Sequence, residues 1–250
     1  MLYSIIIPAW NEAAFIGATL VKVKAAMKEV EEHTEHRGEL LVVDNNSTDR
    51  TPEIAESMGA TVVFEPVNQI SRARNRGVAA ASGEVLVFLD ADTSCSARLL
   101  RHALDQLATG CVVGGGSVIA PDKPVSANAM RAIHLWNSIA RTGRLAAGCF
   151  LFCRRDAFEA VGGFSDRVYA GEEIFLSRVL KRWGRRRNMR FEILTVDPVL
   201  TSVRKLDWYS PLQLTRQTLL LLIPGAVFSR RLCKTWYDDK EHGRSSRNRP

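Results

Sequence analysis

Apolar residues in the first third of the chain follow two alternating rhythms. Short unbroken runs rich in β-branched residues occupy Ser4–Pro8, Glu39–Val43, Thr61–Phe64 and Val85–Leu89. A run that is apolar at every position, not at every second one, marks a strand buried on both faces. Between the first two runs, Ile16, Leu20, Val23, Met27 and Val30 recur at steps of three and four. That spacing is one face of a 3.6-residue period and predicts a helix over Ala13–Val30. A short helix is predicted over Thr51–Met58, with Pro52 in its first turn and Gly59 closing it. A third is predicted over Ile70–Ala81, ended by Ser82 and Gly83. The resulting βαβαβαβ order predicts an α/β fold, with a mostly parallel central sheet flanked by helices.

The second half is less regular. Strands are predicted over Val112–Ile119, around Gly114, Gly115 and Gly116, and over Gly148–Cys153. Helices are predicted over Ala127–Arg141, Arg155–Val161 and Glu172–Trp183, followed by strands over Phe191–Val203. A tight bend is the expected role of the three glycines. On the helix at 127–141, packing is the better reading for Trp136, and an acceptor-site role for Trp136 or His134 is the minor alternative.

Composition changes the picture in one respect. The 250 residues are 46% hydrophobic and 24% charged, as in a globular protein with a real core. The net charge of +7 is localised. Ser177–Arg190 holds seven basic residues and no acid, and Ser229–Pro250 carries a further +4, so the rest of the chain is acidic at −4. A basic surface beside an acidic body suits a polyanion: phosphate groups, nucleic acid or anionic lipid. The five cysteines form no CxxC pair and read as reduced thiols filling the core. With no signal-peptide pattern at Met1–Ser4 and no apolar run beyond Leu219–Phe228, a cytoplasmic location is expected.

In a parallel sheet, ligands collect beyond the carboxyl ends of the strands. Three acidic clusters converge there: Glu12 after Pro8, Asp44 to Asp49, and Asp90 with Asp92. Crowded carboxylates repel unless something positive sits among them, most economically a divalent cation. Asp90 and Asp92 flank one residue, which lets both reach one metal or its water shell. Few, hard oxygen ligands suit Mg²⁺ or Mn²⁺ completed by waters and substrate phosphates. The plainer alternative is that Asp44, Asp90 and Asp92 only cap turns. No Walker loop is present and no Gly-rich turn follows the first strand, which argues against a dinucleotide-binding dehydrogenase.

The segments Ser4–Glu12, Val43–Asp49, Ala73–Gly77 and Gly83–Asp92 together resemble the family-2 glycosyltransferases of the GT-A fold. The resemblance continues through Gly148–Phe150, Val161–Phe164 and Gly171–Glu173 and covers residues 4 to 205. It implies inverting transfer of a sugar from a nucleoside diphosphate donor to an acceptor hydroxyl. It also implies that Asp44, lined by Pro8 and Glu12 with Arg74 nearby, holds the nucleotide. Asp90 and Asp92 match a DxD motif that binds the diphosphate through the metal. Glu173 stands where relatives carry the Asp presumed to be the catalytic base, with Glu172 competing for the role. Phe175 departs from the acid that relatives often have there, and Arg204 falls in a segment where a basic side chain can meet the diphosphate.

Residues 1–205 are thus expected to form the catalytic domain and 206–250 a basic, amphipathic extension. In the latter, Ser210 and Pro211 start a helix whose second half, Leu219–Ile223, is apolar on nearly every side. Basic residues follow it, so it is expected to meet an anionic membrane surface or to dock on protein. A lipid-linked or membrane-presented acceptor would accord with the former. The partial match of Gln213–Gln217 to a processive-synthase signature reads as coincidence. Two rivals remain: a nucleotidyltransferase, which builds similar carboxylate metal sites, and a nucleic-acid-binding protein. Nucleic acid is not expected, because the acidic strand ends would repel its phosphates.

Overall fold

The computed structural model describes residues 1–204, 225–229 and 231–233. Its strands are β1 (Leu2–Ala9), β2 (Arg37–Asp44), β3 (Thr61–Phe64), β4 (Val85–Leu89), β5 (Thr93–Ser94), β6 (Val112–Pro121), β7 (Phe150–Arg154) and β8 (Arg190–Thr201). Its helices are α1 (Ile16–His33), α2 (Thr51–Ser57), α3 (Ile70–Ala80), α4 (Ala97–Ala108), α5 (Ala127–Gly143), α6 (Arg155–Ala160) and α7 (Glu172–Arg185). The strands join in one sheet, in the order β3-β2-β1-β4-β7-β6-β8-β5. The first four run parallel. Strand β7 is antiparallel to β4 and β6, β8 is parallel to β6, and β5 is antiparallel to β8.

The unbroken apolar runs have a direct structural cause. Ile5 and Ile7 pack into a core with Leu20 and Val23 of α1 and Leu100 and Leu104 of α4. Ile6, pointing the other way, packs with Val78 of α3, Phe88, and Leu176 and Leu180 of α7. Each such side chain, taken fully from water, contributes roughly 1.5–3 kcal/mol. Of the four apolar runs, the one in the edge strand β3 departs from two-sided burial, with Phe64 half exposed.

Several boundaries differ from expectation. Helix α1 starts at Ile16, not Ala13, because the preceding backbone is tied down elsewhere: Glu12 N donates to Thr51 Oγ1 and Ala13 N to Asp49 Oδ2. Residues 191–203 form most of one long strand, β8, with a register shift against β6 between Ser117 and Ile119. Strand β5 and helix α4 were not anticipated, although Ser96 caps α4 by accepting from Leu99 N at 3.0 Å. The glycines 114–116 make no bend. They lie inside β6, where a Cβ on Gly114 would come within 2.6 Å of Phe152 O and one on Gly116 within 2.7 Å of Ala146 Cβ. A Cβ on Gly115 would run into the Glu192 carbonyl oxygen and the Phe152 ring. Close approach of β7, β8 and Ala146, not a turn, demands glycine there.

The predicted helix from Ser210, the segment Gln213–Gln217 and the tail lie outside the described residues. Among the described residues, no helix is long and apolar enough to cross a membrane. Cys95, Cys149, Cys153 and Cys233 are buried and Cys111 is exposed. Trp136 packs against the main core, whereas His134 is exposed.

Candidate active site

The β1–α1 and β2–α2 connections brace one another at the carboxyl edge of the sheet. Asn11, in left-handed backbone (φ 53°), accepts from Thr48 N at 2.8 Å and donates its own backbone N–H to Ser47 Oγ at 3.0 Å. Asp44 is buried, and its Oδ1 accepts from Ser47 N at 3.0 Å. For that oxygen the turn-capping alternative holds. Asn45, which sequence reasoning passed over, donates to Glu65 O and Val67 O and accepts from Gln69 N, all within 3.2 Å. Pro8 is half-buried and pairs in register with Val43, one position before Ala9 meets Asp44.

A first ionic cluster closes over the end of β1. Arg204 Nη1 donates to Glu12 Oε2 at 2.6 Å and Nη2 to Oε1, a bidentate grip. The same guanidinium lies 3.2 Å from Asp92 Oδ2 through Nε, and stands over the Phe15 ring at 4.4 Å. Side-chain exposures of 13–16% place all three charged groups in a mostly dry setting. Ser202 N donates to the Asp92 carbonyl at 3.2 Å, so the chain leaving β8 is fastened to the loop that carries Asp92. Phe15 was not foreseen as a site residue.

A second cluster surrounds Arg74 of α3, which is 2% exposed. It donates to Glu172 Oε1 at 2.7 Å, Asp90 Oδ1 at 3.0 Å and Gly148 O at 2.9 Å, with the Phe164 ring 5.2 Å away. One side chain thus ties α3, the end of β4, the loop before β7 and the start of α7. Gly148 also borders Glu173: a Cβ there would lie 3.4 Å from the Glu173 carboxyl carbon. The two adjacent glutamates are therefore unlike. Glu172 is buried and held by Arg74, whereas Glu173 is only partly buried. Desolvation first, and then the charge of Glu172, push the Glu173 carboxyl up to about 8, with Arg74 pulling the other way.

Phe175, where an acid was looked for, packs instead against Phe228 at 6.2 Å between ring centroids. Tyr169 N donates to Val227 O at 2.8 Å, and the buried Cys233 thiol is pushed up by its burial and by the charge of Glu172. The short segment around Ala226–Phe228 therefore lies against the start of α7.

The acidic strand ends do converge, but arginines sit among them. Arg74 compensates Asp90 and Glu172, and Arg204 compensates Glu12 and Asp92. Among the described residues no three His, Cys, Asp or Glu side chains form a group that could hold a metal ion. The donor set at the end of β4 is two carboxylates, Asp90 and Asp92. That set fits Mg²⁺ or Mn²⁺, which take one or two protein carboxylates and leave the remaining positions to waters and phosphates.

The mixed α/β sheet with its flanking helices is the fold of GT-A glycosyltransferases. Residues 4–162 match the family model for glycosyl transferase family 2, and the chain belongs to that family. Glycosyltransferase AglE of Haloferax volcanii is 31% identical over 183 residues, which are 68% of this chain and 58% of AglE. The chain spans little more than half the length of such curated relatives. In solved structures, the mannosyltransferase PcManGT of Pyrobaculum calidifontis, in complex with GDP-Man and Mn²⁺, superposes with a TM-score of 0.66 at 22% identity, covering 82% of this chain and 57% of that one. Glucosyl-3-phosphoglycerate synthase of Mycobacterium tuberculosis, with Mn²⁺, UDP and phosphoglyceric acid, superposes at 0.58 and 21% identity, covering 93% and 78%. At these identities the likeness is one of fold.

Proposed function

We propose that the chain transfers a sugar, with inversion, from a nucleoside diphosphate sugar to an acceptor hydroxyl. The observation that carries this reading is the placement of Glu173, a carboxyl pushed up to about 8, beside Gly148 and Arg74, which lead directly to Asp90. Asp90 and Asp92 would hold a Mg²⁺ or Mn²⁺ ion, whose chemistry is to neutralise charge on the departing diphosphate. Structural neighbours solved with Mn²⁺ support a divalent cation in the reaction. Pro8, Glu12 and Asp44 line the neighbouring strand ends where the nucleotide would lie.

Glu173 serves as the base. An acceptor hydroxyl becomes acidic only as it bonds to the anomeric carbon, so a carboxylate aimed at it takes the proton late, and such help is worth about 10²–10⁴-fold. Glu172, engaged by Arg74, acts by holding that arginine, and Arg74 positions Asp90. Arg204 is within reach of the same pocket and, released from Asp92, would meet a diphosphate oxygen through its planar fork. Contact with an anionic membrane, and a lipid-linked acceptor, are supported by the sequence pattern at 210–234 alone.

The deciding experiment is incubation with UDP-, GDP-, CDP- and dTDP-sugars and candidate acceptors, with product analysis by NMR. Release of free nucleoside diphosphate with an inverted anomeric centre supports the reading. Pyrophosphate release from a sugar phosphate and NTP identifies a nucleotidyltransferase instead.

A further inference from the structure

Helix α7 carries a second charged feature that sugar transfer does not use. Arg178, Lys181, Arg182, Arg185 and Arg186 line an open cavity of about 330 Å³. At roughly 100° per residue, these positions occupy an arc of about 140°, centred about 150° around the helix from Glu173. The cavity and the catalytic carboxylate therefore face different ways from the same helix.

Pairs four apart (Arg178 with Arg182, Lys181 with Arg185, Arg182 with Arg186) put like charges next to one another on that face, a destabilising arrangement. The negative end of the helix dipole relieves this only in the last turn, so Arg178 and Lys181 gain nothing from it. Among the described residues none of the five is ion-paired, whereas Arg72, Arg74, Arg154, Arg155, Arg190 and Arg204 all are. Lys181 Nζ donates to Gly143 O at 2.6 Å, at the end of α5, which holds the ammonium at the cavity wall. Its burial, with Arg178, Arg185 and Arg144 around it, lowers its pKa from the usual lysine value, the signature of uncompensated positive charge.

We propose that this cavity is a binding site for a phosphate-bearing anion, separate from the nucleotide-sugar site. Four guanidiniums and an ammonium supply the charge-assisted donors that phosphoryl oxygens accept. The concave shape suits a compact group, such as a free diphosphate or a phospholipid headgroup.

The test uses the full chain without metal or nucleotide. Titration with inorganic pyrophosphate, and flotation with phosphatidylcholine vesicles with and without phosphatidic acid, compare wild type, Lys181→Met/Arg185→Met and Arg98→Met/Arg101→Met. The expected result is binding to at least one probe that weakens about tenfold or more in Lys181→Met/Arg185→Met, falls with added salt and is unchanged in Arg98→Met/Arg101→Met, which removes the same charge from exposed positions on α4. Pyrophosphate binding alone identifies a soluble phosphate, and vesicle binding a headgroup. Removing two like charges leaves the melting temperature unchanged or raised, and the single Arg182→Gln provides the same comparison at smaller amplitude. Equal binding by wild type and Lys181→Met/Arg185→Met, or no binding to either probe, would each overturn the proposal.

Discussion

Arg204 Nε and Asp92 Oδ2 stand 3.2 Å apart, so the second acid of the Asp90–Asp92 pair is already matched by a protein cation. A divalent ion at Asp92 must compete with that arginine. Arg204→Met is expected to bind Mn²⁺ alone more tightly, by about tenfold, corresponding to about 1.4 kcal/mol. The same variant should bind nucleoside diphosphate with Mn²⁺ less tightly, because the fork proposed to meet the phosphates is gone. Calorimetric titration with metal, and with metal plus UDP or GDP, checks both signs; unchanged affinity for the metal alone would show that the arginine does not guard Asp92.

Asp90→Asn and Asp92→Asn should each lower turnover by about 10² or more and abolish metal-dependent nucleoside diphosphate binding. The two variants differ in stability. Asp90 is held by the buried Arg74, so its substitution also lowers the melting temperature, whereas Asp92 faces the less deeply buried Arg204. Thermal scans beside the titrations separate ligand loss from fold loss, and normal metal-dependent activity in both variants would refute the site.

Glu173→Gln removes the proposed base and leaves the carboxylates at 90 and 92 in place, so activity should fall by about 10² or more with donor binding kept. The pH dependence has a definite sign. With its pKa at about 8 in the folded protein, Glu173 becomes an active base as pH rises through that value, giving a rising limb in kcat/KM that the variant lacks. Folding is linked in the opposite sense. A carboxyl raised from 4.5 to about 8 gives stability that is fully present below 4.5 and is lost as pH rises through 8. Glu173→Gln should accordingly match the wild-type melting temperature near pH 4.5 and exceed it above pH 8. If Glu172→Gln shows the loss of activity with intact donor binding instead, the base is the neighbouring residue.

Arg74→Met strands Glu172 and Asp90, and breaking a buried pair in this way costs about 3–5 kcal/mol. Glu172→Gln keeps a hydrogen-bond acceptor and should cost less. Chemical denaturation of the two variants tests the ranking; Arg74→Met no less stable than wild type would remove Arg74 from its role as the tie between α3 and α7.

The parallel half of the fold was readable because its signals are local. Unbroken apolar runs fall where strands are buried on both faces, and the polar residues that follow them fall at the carboxyl edge of the sheet. Helix α4 was also within reach, since Ser96 and the spacing of Leu100, Leu104 and Leu107 are ordinary helix signals. The pairing of Arg204 with Glu12 and Asp92 was not. It joins positions far apart in sequence, and a charge-rich strand end is equally consistent with a bound cation or with an arginine folded back over it. The different settings of Glu172 and Glu173 were likewise hidden, because they depend on which of two adjacent side chains turns toward Arg74.

The glycines at 114–116 bear on how far this chain can vary. A side chain at Gly115 would meet the Glu192 carbonyl on one strand and the Phe152 ring on the other, so no rotamer relieves it. Over-packing of this kind costs about 1–3 kcal/mol even where neighbours can yield, and a backbone carbonyl yields less. A saturation library across the three positions, sorted for folded protein, should return glycine alone at 115 and little beyond glycine at 114 and 116. The middle of β6 is thereby closed to substitution, although it holds none of the reacting groups.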